Sequence, residues 1–276
     1  MAYPFNTSVI IPTFNRKDIL LKTLSCLNQQ TVTADHKFEV IVVDDGSTDD
    51  TESATLDFVK HTTLIYHLKY YNTQLTDVFG TSVARNTGIK NAAGKWLLFL
   101  DDDCLPHPEW INAHVNALEQ GAKIVLGYYS NIETKLTESL PIKMEESRAN
   151  RLHEASLNNT LTELASANFS ISRECIEKCG MFDERFARKE GYGYEDIEFG
   201  HRCVLGDFKM SFCADALTYA PVNSDENQAS KDKQAHKAKR LWWHIIQHPQ
   251  QNLPITPLLL KYAEKKKQEL NAKRIF

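Results

Sequence analysis

The sequence lacks any apolar run that approaches the roughly 20 residues a helix needs to cross a bilayer. Its first residues, MAYPFNTSVIIP, also lack the basic segment and long apolar stretch of a secretory signal. We therefore expect a cytoplasmic protein. Hydrophobic residues make up 42% of the 276-residue chain and charged residues 25%, a balance that excludes a disordered chain and allows a sizeable buried core.

Cysteine is scarce and scattered along the chain. The six cysteines include no CxxC pair, and none accompanies a histidine cluster, which excludes the common zinc-site spacings. In a cytoplasmic chain this pattern predicts reduced, mostly buried thiols rather than a disulfide framework. The six are Cys26, Cys104, Cys175, Cys179, Cys203 and Cys213.

The chain has no net positive charge, but its basic residues outnumber its acids near the C-terminal end. The net charge of −4 gives no basis for nucleic-acid binding, and we expect no nucleic-acid partner. Residues 231–276 nevertheless contain eleven Lys and Arg against three acids, so this segment carries +8 and the preceding residues −12. We expect a basic helical extension that docks its aromatic residues on the domain. The alternative is contact through 237–274 with an acidic partner or the inner face of a membrane.

Apolar, β-branched runs at 8–12, 38–45 and 96–100 are typical of strands buried on both faces of a parallel sheet. Residues 16–30 place apolar side chains at helical spacing, so the first two strands and this helix form a βαβ unit. We predict an α/β fold with a mostly parallel central sheet flanked by helices and followed by the helical extension. The alternation also predicts helices at about 49–60 and 80–92 and a strand near 63–68.

Beyond residue 121 the alternation loosens, and we divide the chain there. Residues 1–230 are predicted to form one domain, with a nucleotide-binding half at 1–120 and an acceptor-binding half at 121–230. A polar linker at 223–234 leads into the extension at 231–276. The predicted elements of the second half are strands at 123–129 and 166–172, helices at 141–157 and from 195 to about 206, and a strand pair near 208–219.

Polar clusters follow three of the predicted strands, at 12–15, 44–47 and 101–103. Right-handed crossovers bring the carboxyl ends of parallel strands to one edge, where open α/β sheets bind ligands. Three adjacent aspartates repel one another unless a cation or hydrogen-bond donors offset their charge. The plain alternative is a solvated turn in which Asp103 caps the helix that starts near Pro108. Three such clusters at strand ends favour a binding site over turns alone.

Hard divalent cations such as Mn²⁺ or Mg²⁺ prefer carboxylate oxygens and share them with phosphates of the substrate. Asp101 and Asp103 fit this requirement, and Arg85 supplies a permanent cation at the same edge. A group transfer also needs a base for the acceptor hydroxyl, and Asp196 is our candidate. Glu195 would then orient the acceptor and Tyr192 would stack on a sugar ring. An acidic helix start is equally what the helix dipole favours, so this alternative stays open.

Five segments, in their order and spacing, resemble the family 2 glycosyltransferases of the GT-A fold over about residues 7 to 222. They read SVIIPTFNR, VIVVDDGSTDDT, ARNTG, WLLFLDDDC and GYGYEDIEFGHR. The last, with MFDERF before it, resembles the second-substrate motif of chondroitin-polymerase-type and galactosyltransferase-type enzymes. The resemblance implies a metal-dependent, inverting transfer of a hexose or N-acetylhexosamine from a UDP-sugar. The acceptor would be a hydroxyl of a carbohydrate, a lipid-linked sugar or a peptide.

The resemblance also assigns roles to residues. Asp45 would hydrogen-bond the uracil, Arg85 would lie beside base or phosphate, and Asp196 would be the catalytic base. Residues on the donor side would be Pro12, Thr13, Phe14, Asn15, Asp44 and Asp45, with the metal and ribose site at Asp101, Asp102 and Asp103.

Two positions depart from the family pattern. Ala220 stands where many relatives have a metal-binding histidine, so the resemblance implies that the metal rests on Asp103 and the diphosphate. Tyr194 replaces a glycine common before the Glu-Asp pair, which would change the shape of the acceptor pocket.

Two other functions compete with sugar transfer. A sugar nucleotidyltransferase also uses a parallel sheet and acidic metal ligands, but it normally carries a Gly-rich basic loop after its first strand. Here that loop reads PTFNRKD and contains no glycine, which disfavours this alternative. A non-catalytic module that binds a nucleotide-sugar or a partner fits the missing histidine and the basic aromatic segment.

Overall fold

The computed structural model describes residues 3–74, 80–132, 146–157, 164, 166–186 and 195–221, which form one eight-stranded sheet with helices on both faces. The strands are β1 (Phe5–Thr13), β2 (Phe38–Asp44), β3 (His67–Asn72), β4 (Gly94–Leu100), β5 (Leu105–Pro106), β6 (Ile124–Ile132), β7 (Asn168–Ser172) and β8 (Met210–Pro221). The helices are α1 (Lys17–Leu27), α2 (Thr51–His61), α3 (Thr81–Asn91), α4 (Trp110–Glu119), α5 (Glu146–Leu157), α6 (Arg173–Cys179) and α7 (Glu195–Leu205), with a short 3₁₀ turn at Glu184–Phe186.

The sheet has the order β3-β2-β1-β4-β7-β6-β8-β5, and its first four strands are parallel. Successive residues of β1 enter opposite cores because side chains alternate across a strand. Ile10 packs with α3, α6 and α7, whereas Val9 and Ile11 pack with α1 and α4. Both faces are therefore apolar, and the predicted α/β fold with helices on both sides of the sheet is confirmed.

The second half of the sheet mixes strand directions. β7 is inserted between β4 and β6 and runs antiparallel to both, while β6 and β8 are parallel. The sheet is thus continuous across the predicted division at residue 121.

Several predicted boundaries move. β3 begins at His67 rather than near residue 63, because Tyr66 packs into the core beside α1 and donates a hydrogen bond to the Leu24 carbonyl. The predicted strand pair near 208–219 is one strand, β8, which shifts register against β6 between Gly127 and Tyr128. The beginning of the helix predicted at 141–157, the linker at 223–234 and the extension at 231–276 lie outside the described residues.

Other predictions concern thiols and membrane contact. All six cysteines are free thiols, as predicted, and four of them are buried. Within the described ranges, no helix combines the length and apolar character that a membrane span requires.

Asn168, the first residue of β7, joins several elements through one buried side chain. Its Oδ1 accepts hydrogen bonds from Trp110 Nε1 at 2.8 Å and His114 Nε2 at 2.9 Å. Its Nδ2 donates to the carbonyls of Ala216 at 2.8 Å and Tyr128 at 3.0 Å. Since these carbonyls can only accept, the amide orientation is determined, and His114 carries its proton on Nε2.

Burial lowers the pKa of His114 to about 4, although the hydrogen bond that His114 Nε2 donates to Asn168 Oδ1 opposes this shift. The unfolded chain therefore takes up a proton near pH 6.5 that the folded chain takes up only near pH 4. The free energy of unfolding therefore has its full value above about pH 6.5. It decreases by about 3 kcal/mol as the pH falls to 4. In urea titrations, the free energy of unfolding of His114→Gln should decrease between pH 7 and pH 4 by about 3 kcal/mol less than that of the wild type. His61→Gln, at an exposed position of α2, is the control; equal losses in all three proteins would refute the prediction.

Candidate active site

A cavity opens at the carboxyl end of the parallel strands. Its walls contain the ends of β1 and β4, the start of the loop after β2 and the first turn of α3. Seven of the lining residues belong to the sequence-predicted donor and metal sites: Pro12, Thr13, Phe14, Asp45, Asp101, Asp102 and Asp103. Three were not predicted: Arg16, Thr81 and Ala84.

Two predicted donor residues hold the loops of this cavity together. Asn15 adopts a left-handed conformation with φ of 53°, which asparagine tolerates better than most residues. Its Oδ1 accepts a hydrogen bond from the Thr48 backbone N–H at 2.7 Å, and its own N–H donates to Ser47 Oγ at 2.8 Å. Asp44 accepts from the Ser47 N–H at 2.7 Å and from the Tyr70 hydroxyl. The loops after β1 and β2 are therefore cross-linked by hydrogen bonds.

The aspartate triplet follows β4, and each of its side chains has at least one hydrogen-bond partner. Asp101 Oδ1 accepts from Arg85 Nη2 at 2.9 Å, and Asp102 Oδ2 accepts from Thr13 Oγ1 at 2.7 Å. Arg16 Nη1 lies 2.7 Å from Asp103 Oδ2 and 3.3 Å from Asp102 Oδ1. Like charges without partners would repel, so the two arginines explain how the triplet is tolerated.

The alternative reading of Asp103 as a helix cap is wrong. The residue that precedes α4 is Glu109, not Asp103, because β5 lies between the triplet and that helix. Asp103 instead lines the cavity.

The protein environment changes the acidity of the triplet. Burial raises the pKa of Asp102 to about 7, although Arg16 and Thr13 act in the opposite direction. Burial also raises the pKa of Asp101, with Arg85 opposing the shift. Burial therefore disfavours the charged forms of Asp101 and Asp102, and a cation at the triplet would offset this cost.

Arg85 was expected beside base or phosphate, but the structure places it between two carboxylates. Its side chain is 2% exposed, and Nη1 donates to Glu195 Oε1 at 2.9 Å while Nη2 donates to Asp101. Thr81 Oγ1 also donates to Glu195 Oε1, at 3.1 Å. Arg85 therefore connects the end of β4 to the first residue of α7.

Glu195 was predicted to orient an acceptor, and the structure holds it against Arg85. Its Oε2 is buried and has no hydrogen-bond partner among the described residues. One oxygen thus fixes the carboxylate in place, and the other stays available as an acceptor of hydrogen bonds.

Asp196, the predicted base, is partly exposed in the first turn of α7. Its Oδ2 accepts from the Ser166 backbone N–H at 3.2 Å and from Ser166 Oγ at 3.1 Å. Burial, followed by the charge of Glu195, raises the pKa of Asp196 to about 6. A carboxylate with this pKa is a better proton acceptor than an ordinary aspartate and is still ionised at pH 7.

α7 is fixed by buried contacts on the side away from Asp196. Arg202 pairs with Glu198 one turn earlier and donates to the carbonyls of Cys179 at 2.6 Å and Met181 at 2.8 Å. Cys179 is the last residue of α6 and Met181 lies just after it, so Arg202 links α7 to the end of α6.

Residues 8–180 match the model of glycosyl transferase family 2. The chain belongs to this family. Among its curated relatives, a hyaluronan synthase of Pasteurella multocida is 32% identical over 227 residues, which cover 71% of this chain and 22% of that protein. A chondroitin synthase of Escherichia coli is 29% identical, over 71% of this chain and 32% of that protein. This family 2 chain therefore spans only a minor part of these longer relatives.

Solved structures show the same fold. Residues 1–349 of TarS from S. aureus, in complex with UDP-GlcNAc, superpose with a TM-score of 0.65 at 22% identity, covering 94% of this chain and 71% of that one. A mannosyltransferase from Pyrobaculum calidifontis, in complex with GDP-Man and Mn²⁺, gives a TM-score of 0.64 at 21% identity, covering 96% and 72%.

Of the two positions that depart from the family pattern, the structure describes the backbone of Ala220 but not Tyr194. β8 includes Ala220, and the residue before it, Tyr219, pairs with Leu105 of β5. Tyr192 and Tyr194 lie outside the described residues.

Proposed function

We propose that this family 2 chain transfers a sugar from a UDP-sugar to an acceptor hydroxyl with the help of a divalent metal. The observation that carries the proposal is the meeting of the aspartate triplet, Asp45 and Arg16 in one cavity, joined through Arg85 to the start of α7. The bound UDP-GlcNAc of TarS and the bound Mn²⁺ of the mannosyltransferase support this assignment.

Asp45 and the loop 12–14 would hold the nucleotide. Asp101 and Asp103 fit a hard cation, because both present carboxylate oxygens and both side chains are partly exposed at the cavity. In the described part of the chain, no three His, Cys, Asp or Glu residues are arranged to hold a metal by themselves. Donor phosphates would therefore complete the coordination, as they often do for Mg²⁺. When bound, the cation would neutralise the diphosphate and stabilise it as the leaving group.

Asp196 would accept the proton of the acceptor hydroxyl. The acceptor oxygen then attacks the anomeric carbon, and the bond from that carbon to the diphosphate breaks, with its electron pair leaving on UDP. Attack opposite the leaving group inverts the configuration at this carbon. The acceptor would be a carbohydrate, a lipid-linked sugar or a peptide, and the buried Glu195 would keep the base and the donor in a fixed relation.

Binding of UDP in the presence of Mn²⁺, measured by isothermal titration, tests the donor site. Asp103→Ala should weaken UDP binding about 100-fold and abolish its Mn²⁺ dependence, because a principal anionic ligand is lost. Without ligand the thermal midpoint should change little, since partly exposed ion pairs contribute about 0 to 1 kcal/mol. The stabilisation by UDP and Mn²⁺, which follows mass action, should disappear.

Asp35→Ala, at an exposed position on a loop, is the matched control and should behave as wild type. An unchanged ligand-induced shift in Asp103→Ala would remove Asp103 from the site. Incubation with a panel of UDP-sugars then separates enzyme from binding module: release of UDP without an acceptor shows turnover, and tight binding without release favours a module.

A further inference from the structure

One nitrogen of Arg16 serves two carboxylates of the candidate metal site. Nη1 lies 2.7 Å from Asp103 Oδ2 and 3.3 Å from Asp102 Oδ1. Arg16 also lines the cavity, directly before α1. A guanidinium group therefore already lies where the proposed function requires a divalent cation.

The two arginines of the site differ in their freedom to move. Arg85 has a side chain 2% exposed and is held by two carboxylates from different elements, so its release would leave buried charges without a partner. The side chain of Arg16 is 32% exposed, and water can solvate it and its partners when they separate. Of these two cations, Arg16 is the exchangeable one.

We propose that Arg16 is the counter-ion of Asp103 in the donor-free protein and moves to the donor diphosphate when a divalent cation binds. This inference rests on the proposed function. Oδ2 of Asp103 cannot accept a short hydrogen bond from the guanidinium and coordinate a metal ion strongly at the same time. The planar guanidinium, once released into the same cavity, matches phosphate oxygens with paired hydrogen bonds.

The charges in the cavity favour this exchange. Three aspartates face two arginines before the donor binds. The arriving diphosphate brings further negative charge against these carboxylates, which the divalent cation and a freed Arg16 can share. A guanidinium that stayed on Asp103 would leave the phosphates with less compensation.

Two titrations on the full chain test the exchange: Mn²⁺ alone, and UDP at saturating Mn²⁺. In Arg16→Gln, Mn²⁺ alone should bind about tenfold more tightly, because its competitor is gone. UDP should bind about tenfold more weakly, because a charged hydrogen bond to phosphate is lost. Lys17→Gln removes the neighbouring cation, which pairs with Asp50, and should change both affinities less than twofold.

Arg16→Lys covers the case in which Arg16→Gln does not fold. It should keep Mn²⁺ affinity within about threefold and weaken UDP binding, since an ammonium lacks the paired geometry. Three results would each overturn the exchange. The first is unchanged or weaker Mn²⁺ binding in Arg16→Gln, and the second is unchanged UDP binding in Arg16→Lys. The third is UDP binding that requires Arg16 but does not require the metal. Failure of the wild-type protein to bind UDP with Mn²⁺ would instead refute the proposed function itself.

Discussion

Asp196→Asn is expected to lower kcat about 1000-fold and to leave UDP affinity unchanged. The amide has nearly the shape of the carboxylate and can still accept from Ser166, but it cannot take the acceptor proton. Because the pKa of Asp196 is raised to about 6, wild-type kcat/KM should fall about tenfold per pH unit below that value, as the base becomes protonated. Initial rates of UDP release between pH 5 and 8 measure both effects.

Asp207→Asn provides the same chemical change without the proposed role. Asp207 is exposed after the end of α7 with φ of 65°, a conformation that asparagine adopts readily. Its rate and pH profile should match wild type. A normal kcat in Asp196→Asn, or a loss of UDP binding equal to the loss of rate, would show that Asp196 is not the base.

Replacing Arg85 should have the largest effect on stability. Arg85→Met keeps much of the volume but leaves Asp101 and Glu195 without their common cation, and we expect a loss of about 3 to 5 kcal/mol in urea unfolding at pH 7. Burial already raises the pKa of Asp101 against the opposing charge of Arg85, so without the guanidinium this pKa rises further. The loss should therefore shrink as the pH is lowered, because protonation of Asp101 removes a buried charge that has lost its partner.

Two further variants check the cause of this loss. Lys17→Met removes a cation from an exposed pair and should leave the free energy of unfolding nearly unchanged. Arg85→Met combined with Glu195→Gln should be more stable than the sum of the single changes, because one unpaired charge is removed. Additive effects, or a single-variant loss below 1 kcal/mol, would mean that Arg85 is not the shared partner of the two acids.

The sequence predicted the parallel part of the fold well because its signal is local. β2 and most of β1 and β4 are buried on both faces, so each strand contains a run of apolar residues. β3 begins with an exposed side chain and continues with half-buried ones, and its mixed sequence, HLKYYN, gives no comparable pattern. The start of that strand was therefore misplaced.

The sequence predicted where the candidate site lies in the fold but not which side chains pair with its acids. The topology of parallel strands brings Asp45 and the aspartate triplet to one cavity, as polar residues at strand ends indicated. The partners of these acids depend on contacts distant in sequence: Arg16 is 86 residues from Asp102, and Arg85 is 110 from Glu195. Arg16 lies between β1 and α1, at the same sheet edge as the aspartate triplet, so its position in the sequence could have indicated a partner for these acids.

The hydrogen bonds of Asn15 have a consequence for protein engineering. They join the loop after β1 to the loop after β2, so the two loops depend on each other for their conformation and have to be exchanged together. A chimera that imports only one of these loops from a relative would break the join, whereas transplanting 12–16 together with 44–49 would preserve it. Exchange of these loops in this chain therefore has to be made as a pair.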